Sequence, residues 1–137
     1  MRIIGMNTKN KKKILILGAS SDIGIATVNK FLRENWIVIA HYNNNSKNLK
    51  KIKNKNLYTF KCDLINIKNF KKILNKQFLL KDINSFISLT GLLKPVKFSE
   101  INQRNLSEHI NVNYLSNIID LQKILPIMKK RKFGRII

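Results

Sequence analysis

Short apolar runs alternate with helical spacings of apolar residues along this chain, from about Lys13 onward. Four of the runs are typical of buried strands: Ile14–Leu17, Trp36–Ala40, Leu57–Cys62 and Ile83–Leu89. Three of the intervening segments predict helices: one from Asp22 with Ile25, Val28 and Leu32 on one face, a short basic one over Ser46–Lys53, and one from about Asn66 with Ile67, Phe70, Leu74 and Phe78 at helical spacing.

After the Gly91–Pro95 loop the pattern predicts a long helix over Gln103–Lys130 and then the start of a fifth strand at Arg135–Ile137. The side of this helix that we expect to be buried carries Leu106, Ile110, Leu121, Leu125 and Met128. Alternating strands and helices imply a parallel sheet with helices on both faces. We therefore predict an α/β fold, a Rossmann-like doubly wound parallel sheet that is incomplete at the C-terminus, preceded by a basic flexible leader at residues 1–12.

The most informative segment reads I-L-I-L-G-A-S-S-D-I-G from Ile14 to Gly24, which is a strand, a Gly/Ser turn and the start of a helix. Gly18 can adopt backbone angles that other residues avoid, so the strand can turn sharply toward the helix. The unpaired N–H groups of that helix start are suited to bind a phosphate. An ordinary tight turn of an α/β protein is the alternative.

Length and composition narrow the class of protein. The 137 residues suit one domain, and with 44% hydrophobic residues the chain should fold. No apolar run approaches the roughly 18 residues that span a bilayer, so we expect a soluble, cytoplasmic protein. Cys62 is the only cysteine, which excludes an intramolecular disulfide and a cysteine-built zinc site, and His41 and His109 have no metal-ligand spacing.

The net charge of +20 would attract phosphate-rich partners, so a nucleic-acid-associated protein is a rival hypothesis. The lysines are, however, spread over what look like solvated helix faces and interleaved with Asn and Ile. No helix-turn-helix, zinc-finger or RNP-type aromatic pattern accompanies them. We expect no specific nucleic-acid partner and no membrane partner.

From Lys13 to its end the chain resembles the short-chain dehydrogenase/reductase family, first through its G-x-x-x-G-x-G turn, in which Asp22 replaces the middle glycine. The resemblance makes residues 13–137 a partial NAD(P)-binding domain. It implies cofactor binding by a set of residues along this domain: Gly18, Ser20, Ser21, Asp22, Ile23, Gly24, Tyr42, Asp63, Leu64 and Gly91. We expect the Asp22 carboxylate to turn outward and cap free N–H groups, while Ser20 and Ser21 face the phosphates.

Two later segments carry more of the resemblance. Asp63, directly after the third strand, lies where the family has an aspartate that binds the adenine amino group, with a helix N-cap as the alternative role. Asn113, in the V-N-Y segment ahead of L-P-I-M and G-R-I-I, aligns with the family's catalytic asparagine. We also expect Asn113 to lie on the apolar stripe of its helix, where its amide needs partners. A core asparagine with no chemical role is the alternative.

The residues after the second strand bear on the choice of cofactor. Ala40-His41-Tyr42-Asn43 includes no acidic residue to bind the 2′-hydroxyl of NAD, and Ser46 and Lys47 lie close by. We therefore expect NADP(H) to be favoured over NAD(H).

The family's catalytic serine, tyrosine and lysine are not among these residues, since Tyr42, Tyr58 and Tyr114 are followed four positions later by Ser46, Cys62 and Ile118. The resemblance implies an NAD(P)-dependent oxidoreductase that transfers hydride between nicotinamide and a carbonyl/alcohol substrate, such as a 3-oxoacyl thioester or a polyol, and that forms a homo-oligomer when complete. We expect the 137 residues alone to be inactive and to self-associate. A non-catalytic nucleotide-binding fragment is the main alternative.

Overall fold

The computed structural model describes residues 11–76 and 78–137 of the chain. Strands and helices alternate along these residues, as the apolar pattern predicts. The strands are β1 (Lys13–Leu17), β2 (Ile37–Tyr42), β3 (Leu57–Lys61), β4 (Ser85–Ser88) and β5 (Arg135–Ile136). The helices are α1 (Asp22–Arg33), α2 (Lys47–Lys51), α3 (Ile67–Lys76), α4 (Gln103–Ile110) and α5 (Ser116–Lys130).

The five strands form one parallel sheet in the order β3-β2-β1-β4-β5. In the register of the central strand, Leu15 lies beside Ile39 on one side and beside Phe86 on the other. The order changes direction at β1, so the carboxyl ends of β1 and β4 flank the crevice in which folds of this kind bind ligands. The predicted Rossmann-like α/β fold is confirmed.

The four apolar residues of β1 divide between two cores because successive side chains of a strand point to opposite faces. Leu15 and Leu17 pack with side chains of α3 and α5, including Phe70 and Ile124. Ile14 and Ile16 pack in a second cluster that contains residues of α1 and α2: Val28, Leu32 and Leu49. The unbroken apolar run therefore reflects a strand that is buried on both faces.

Several predicted element boundaries are wrong by a few residues. Trp36 precedes β2, which instead extends to Tyr42, and β4 is shorter than the apolar run Ile83–Leu89. Phe78 does not belong to α3, because the chain enters a 3₁₀ turn over Phe78–Asp82. Apolar residues that precede or follow a strand can be buried without joining its hydrogen-bond ladder, so the pattern overestimates strand length.

The predicted long helix exists as α4 and α5, joined by a π-helical turn over Asn111–Leu115. The predicted buried side is wrong for Leu106 and Ile110, which are about half exposed. The prediction is confirmed for Met128, which is buried, and the other buried positions of α4 and α5 are Glu108, Ser116, Asp120 and Ile124. Polar residues at three of these positions conceal the buried stripe in the sequence, and the wide π turn shifts the face between the two helices.

The predicted leader, residues 1–12, lies outside the described residues except for Lys11 and Lys12. Lys11 Nζ donates hydrogen bonds to Asn35 Oδ1 at 3.0 Å and to Asn56 Oδ1 at 3.1 Å. The ammonium of Lys12 lies 5.4 Å from the centre of the Trp36 ring. Over the described ranges, no helix has the length and apolar character needed to cross a membrane.

Candidate functional site

The turn after β1 is built around Gly18, which has a φ of +70°. A Cβ atom there would lie 2.6 Å from the carbonyl oxygen of Leu89, at the end of β4. Both the positive φ and the close approach of the β4 backbone require glycine at this position. The sharp turn predicted from the Gly/Ser sequence is thus a property of the folded chain.

The start of α1 is fixed to this turn by Ser21 and Gly24. Ser21 is the N-cap: its Oγ accepts from the Gly24 N–H at 3.0 Å and donates to the Gly18 carbonyl at 3.0 Å. A Cβ on Gly24 would lie 2.6 Å from the Gly18 oxygen, so only glycine lets the helix approach so closely. The predicted capping role of Asp22 is wrong, because Ser21 occupies the cap and Asp22 is the exposed first residue of the helix.

A cavity of about 340 Å³ opens beside this turn, at the carboxyl ends of β1 to β4. It brings together six of the predicted cofactor residues: Gly18, Ser20, Ser21, Asp63, Leu64 and Gly91. The remainder of its lining comes from His41, Asn43, Asn45, Ile65, Leu89, Thr90, Leu92 and Val112. Residues from distant parts of the sequence therefore converge on one crevice.

Four predicted cofactor residues are not in this lining. Asp22 and Ile23 face outward from the first turn of α1, and Ile23 is 69% exposed. Gly24 is buried beneath the turn that it helps to shape. Tyr42 packs against the core cluster on the α1 side of the sheet.

Asp63 follows β3 with its side chain exposed at the rim of the cavity. Its Oδ1 accepts a hydrogen bond from the Ile65 N–H at 3.0 Å. The alternative role of Asp63 as a helix N-cap is wrong, because Asn66 Oδ1 accepts from the Asn69 N–H at 3.0 Å and caps α3. The carboxylate therefore keeps acceptor capacity for a ligand.

Asn113 lies in the π turn, and its side chain connects that turn to the loop after β4. The predicted place on the buried stripe is wrong, since Asn113 is exposed. Its amide nevertheless has two protein partners, both on the backbone of Leu92. Leu92 lines the cavity next to Gly91, so Asn113 lies one residue behind the lining.

Three polar residues at the β2 end of the cavity, His41, Asn43 and Asn45, were not among the predicted cofactor-binding residues, which include only Tyr42 from this segment. His41 is 2% exposed, and burial lowers its pKa, although a hydrogen bond to the Cys62 carbonyl and the nearby Asp63 charge oppose the shift. Asn43 and Asn45 follow directly on the exposed chain. The signal that could have identified these residues is their position at the carboxyl end of a strand next to the Gly18 turn.

The charge around the cavity differs from that of the whole chain. Asp63 is the single acidic residue of the lining described above, which contains no lysine or arginine. Without a side-chain cation in this lining, backbone N–H groups and the helix start of α1 are the groups that could hold an anion there. Over residues 11–76 and 78–137, no three His, Cys, Asp or Glu side chains cluster in a way that could hold a metal ion.

The model of a family described as short chain dehydrogenase matches residues 12–137. No curated protein matches the chain in sequence.

Solved structures of similar fold include a short-chain dehydrogenase from Streptomyces avermitilis, with a TM-score of 0.80 and 16% identity over 94% of this chain and 48% of the other. A 4-hydroxyisoleucine dehydrogenase complexed with NADH has a TM-score of 0.78 and 24% identity over 92% of this chain and 54% of the other. The protein ElxO with NADP bound has a TM-score of 0.73 and 22% identity, with 92% and 54% covered. The chain thus spans about half the length of these three proteins.

Proposed function

The chain belongs to the short-chain dehydrogenase family, and we propose that its cavity binds a nicotinamide dinucleotide, NADP(H) in preference to NAD(H). The observation that carries the proposal is the turn at Gly18, where a positive φ, the close approach of the chain after β4 and the Ser21-capped start of α1 form a tight cradle that has no room for a Cβ atom on Gly18. Such a cradle fits a pyrophosphate, because free N–H groups of the helix start can donate to it.

The polar groups of the lining suit the two ends of the cofactor. By resemblance to the family, Asp63 binds the adenine amino group, and its exposed carboxylate beyond β3 is available as the acceptor. The loop at Gly91, tied to Asn113 through Leu92, lies on the opposite side of the Gly18 turn, at the end of β4. A dinucleotide extended across the carboxyl edge of the sheet would therefore contact both.

The preference for NADP(H) rests on the residues that follow β2. Asn43 and Asn45 line the cavity there, and neither has a carboxylate that would repel a 2′-phosphate. Among the proteins of similar fold, ElxO was solved with NADP and the 4-hydroxyisoleucine dehydrogenase with NADH, so the fold accommodates either cofactor.

We further propose that the whole protein transfers hydride between the nicotinamide and a carbonyl/alcohol substrate, which the cofactor's chemistry supplies once it is bound. The present residues bind and orient the dinucleotide, and Asn113 holds the loop beside it. None of the three tyrosines of the chain has a lysine four positions later. We therefore expect the 137 residues alone to bind the cofactor without reducing a ketone, a sugar or a 3-oxoacyl thioester.

Titration with NADPH and NADH, followed by cofactor fluorescence, tests the binding proposal. We expect NADPH to bind more tightly, and Gly18→Val to abolish binding because a branched side chain cannot fit beside the Leu89 carbonyl. An exposed α2 variant, Asn48→Ala, serves as the control. Equal binding by Gly18→Val would refute the pocket, and tighter NADH binding would refute the preference.

A further inference from the structure

His41 lies at the floor of the cavity, one residue before the end of β2. Its ring packs beside the rings of Phe60 and Phe70, with centroids 5.3 Å and 6.5 Å away. These apolar neighbours belong to β3 and α3, on the side of the sheet that α5 also covers. A polar ring in such a place needs a partner for each nitrogen.

Both ring nitrogens have a backbone partner. The Gly18 N–H donates to Nδ1 at 3.2 Å, and Nε2 lies 2.9 Å from the carbonyl oxygen of Cys62. An N–H group can only donate and a carbonyl can only accept, so the proton of the ring must be on Nε2. The two contacts together define a neutral imidazole of a single tautomer.

The two partners follow the strands that flank β2, namely β1 and β3. Gly18, which has a positive φ, forms the turn after β1. Cys62 directly precedes Asp63 after the end of β3. The β1 and β2 backbones are already joined here, since the Ala19 N–H donates to the His41 carbonyl at 2.9 Å. The two hydrogen bonds of the His41 ring additionally connect the Gly18 turn to the end of β3.

We propose that His41 is a positioning residue for the dinucleotide pocket: its neutral ring, protonated on Nε2, holds the Gly18 turn at a fixed distance from the end of β3, where Asp63 lies. This inference rests on the proposed function of the pocket. A protonated ring would place a donor against the Gly18 N–H and lose that hydrogen bond. Burial disfavours protonation of the His41 ring and lowers its pKa, whereas the nearby charge of Asp63 favours protonation. The neighbouring Cys62 thiol is neutral, because burial raises its pKa to about 11.

Nitrogen-15 NMR of the imidazole rings tests the tautomer without any ligand. The chain has two histidines, so His41 and His109 can be assigned by replacing His109 with Asn. We expect the His41 signals at neutral pH to show an unprotonated Nδ1 and a protonated Nε2, and we expect added NADP⁺ to shift the Nδ1 signal. A protonated Nδ1 at neutral pH, or an Nδ1 signal that does not move when NADP⁺ binds, would overturn the proposal.

Two variants separate positioning from a purely structural role. His41→Leu fills the apolar site without an acceptor for Gly18, whereas His41→Asn keeps a short acceptor on the same side. We expect NADP⁺ affinity, measured by calorimetry, to fall about tenfold in His41→Leu and to recover in part in His41→Asn. We expect the free energy of unfolding in urea to be higher for His41→Leu than for His41→Asn, because burying an apolar side chain costs less than burying an amide.

If the NADP⁺ affinities of the two His41 variants rank in the same order as their free energies of unfolding, His41 has a structural role only and the inference is overturned. If the unaltered protein binds no NADP⁺, the proposed function fails, while the tautomer measured by NMR still decides whether His41 holds the turn.

Discussion

The carboxamide of Asn113 and the backbone of Leu92 form a two-way hydrogen-bonded pair. Asn113 Oδ1 accepts from the Leu92 N–H at 2.6 Å, and Asn113 Nδ2 donates to the Leu92 carbonyl at 3.0 Å. The pair connects the π turn between α4 and α5 to the loop that follows β4. An irregular helical turn and a cavity-lining loop are therefore held in one arrangement.

Replacing Asn113 with Ala should loosen this loop. Because both hydrogen bonds are lost at an exposed site, we expect the free energy of unfolding to fall by about 1 kcal/mol. Amide hydrogen exchange at Leu92 should accelerate in the folded protein. Asn48→Ala, at an exposed position of α2, is the control. Unchanged exchange at Leu92 would show that the pair does not hold the loop.

Gly18→Ala should destabilise the protein even though the added group is small. The residue has a φ of +70°, and a Cβ would lie 2.6 Å from the Leu89 oxygen, so strain and steric overlap add. We expect a loss of about 2 kcal/mol or more in urea unfolding. Gly91→Ala is a matched comparison, since no atom lies within 4 Å of its Cβ position. Similar losses for the two variants would contradict this account.

Asp120 should make stability fall as the pH rises. It is fully buried in α5, both carboxylate oxygens lack a hydrogen-bond partner, and burial raises its pKa from 3.8 to about 8, against the attraction of Lys123. Between pH 3.8 and about pH 8, Asp120 is deprotonated in the unfolded chain but keeps its proton in the folded chain. The free energy of unfolding is therefore highest below about pH 4 and decreases as the pH rises to about 8.

Asp120→Leu removes this dependence and should raise the unfolding free energy at pH 8 by about 1–3 kcal/mol. Urea unfolding at several pH values measures both effects. The control is Glu34→Gln, which changes an exposed carboxylate at the end of α1. A pH profile that is unchanged in Asp120→Leu would show that another group is responsible.

The exposed apolar side chains of α4 and the π turn predict self-association. Leu106 and Ile110 are one helical turn apart and about half exposed, and Tyr114 is 62% exposed. Apolar surface of this kind favours contact between protein molecules. We expect Ile110→Glu to lower the mass in solution, measured by light scattering. Leu93→Glu, in the loop after β4, should leave it unchanged. If Ile110→Glu and Leu93→Glu change the mass in solution equally, the face of α4 that carries Leu106 and Ile110 is not the interface.

The net charge of +20 should give duplex DNA binding that is weak, independent of sequence and steeply dependent on salt. Scattered phosphate contacts release counterions but do not read bases. Gel-shift measurements with two unrelated duplexes at increasing salt check this. A complex that prefers one sequence and persists at roughly 200 mM salt would favour the nucleic-acid hypothesis instead.

The fold was predictable because apolar spacing directly reports burial. Ile14–Leu17 is buried on both faces, and an unbroken apolar run is what such a strand requires. The orientation of α4 and α5 was not predictable in the same way. Asp120 and Ser116 are completely buried while Leu106 is exposed, so polarity and burial disagree along this segment.

The site was predictable where a residue type is dictated by the backbone. Gly18 is needed for a positive φ and Gly24 for close packing, and both are visible as glycines in the sequence. His41 was not predictable, because its role depends on Gly18 and on Cys62, which lies 21 residues along the chain. Sequence spacing alone does not show that three strand ends meet at one imidazole ring.

The position of β1 at the centre of the sheet determines when it can be completed during synthesis. The Lys13 N–H donates to Asn84 Oδ1, a partner 71 residues further along the chain. A ribosome that adds 5–20 residues per second needs roughly 4 to 14 s to reach that residue. During this interval β1 can pair with β2, but its other edge stays open. The nascent chain therefore presents an unpaired apolar strand edge for seconds, during which it would be a substrate for chaperones.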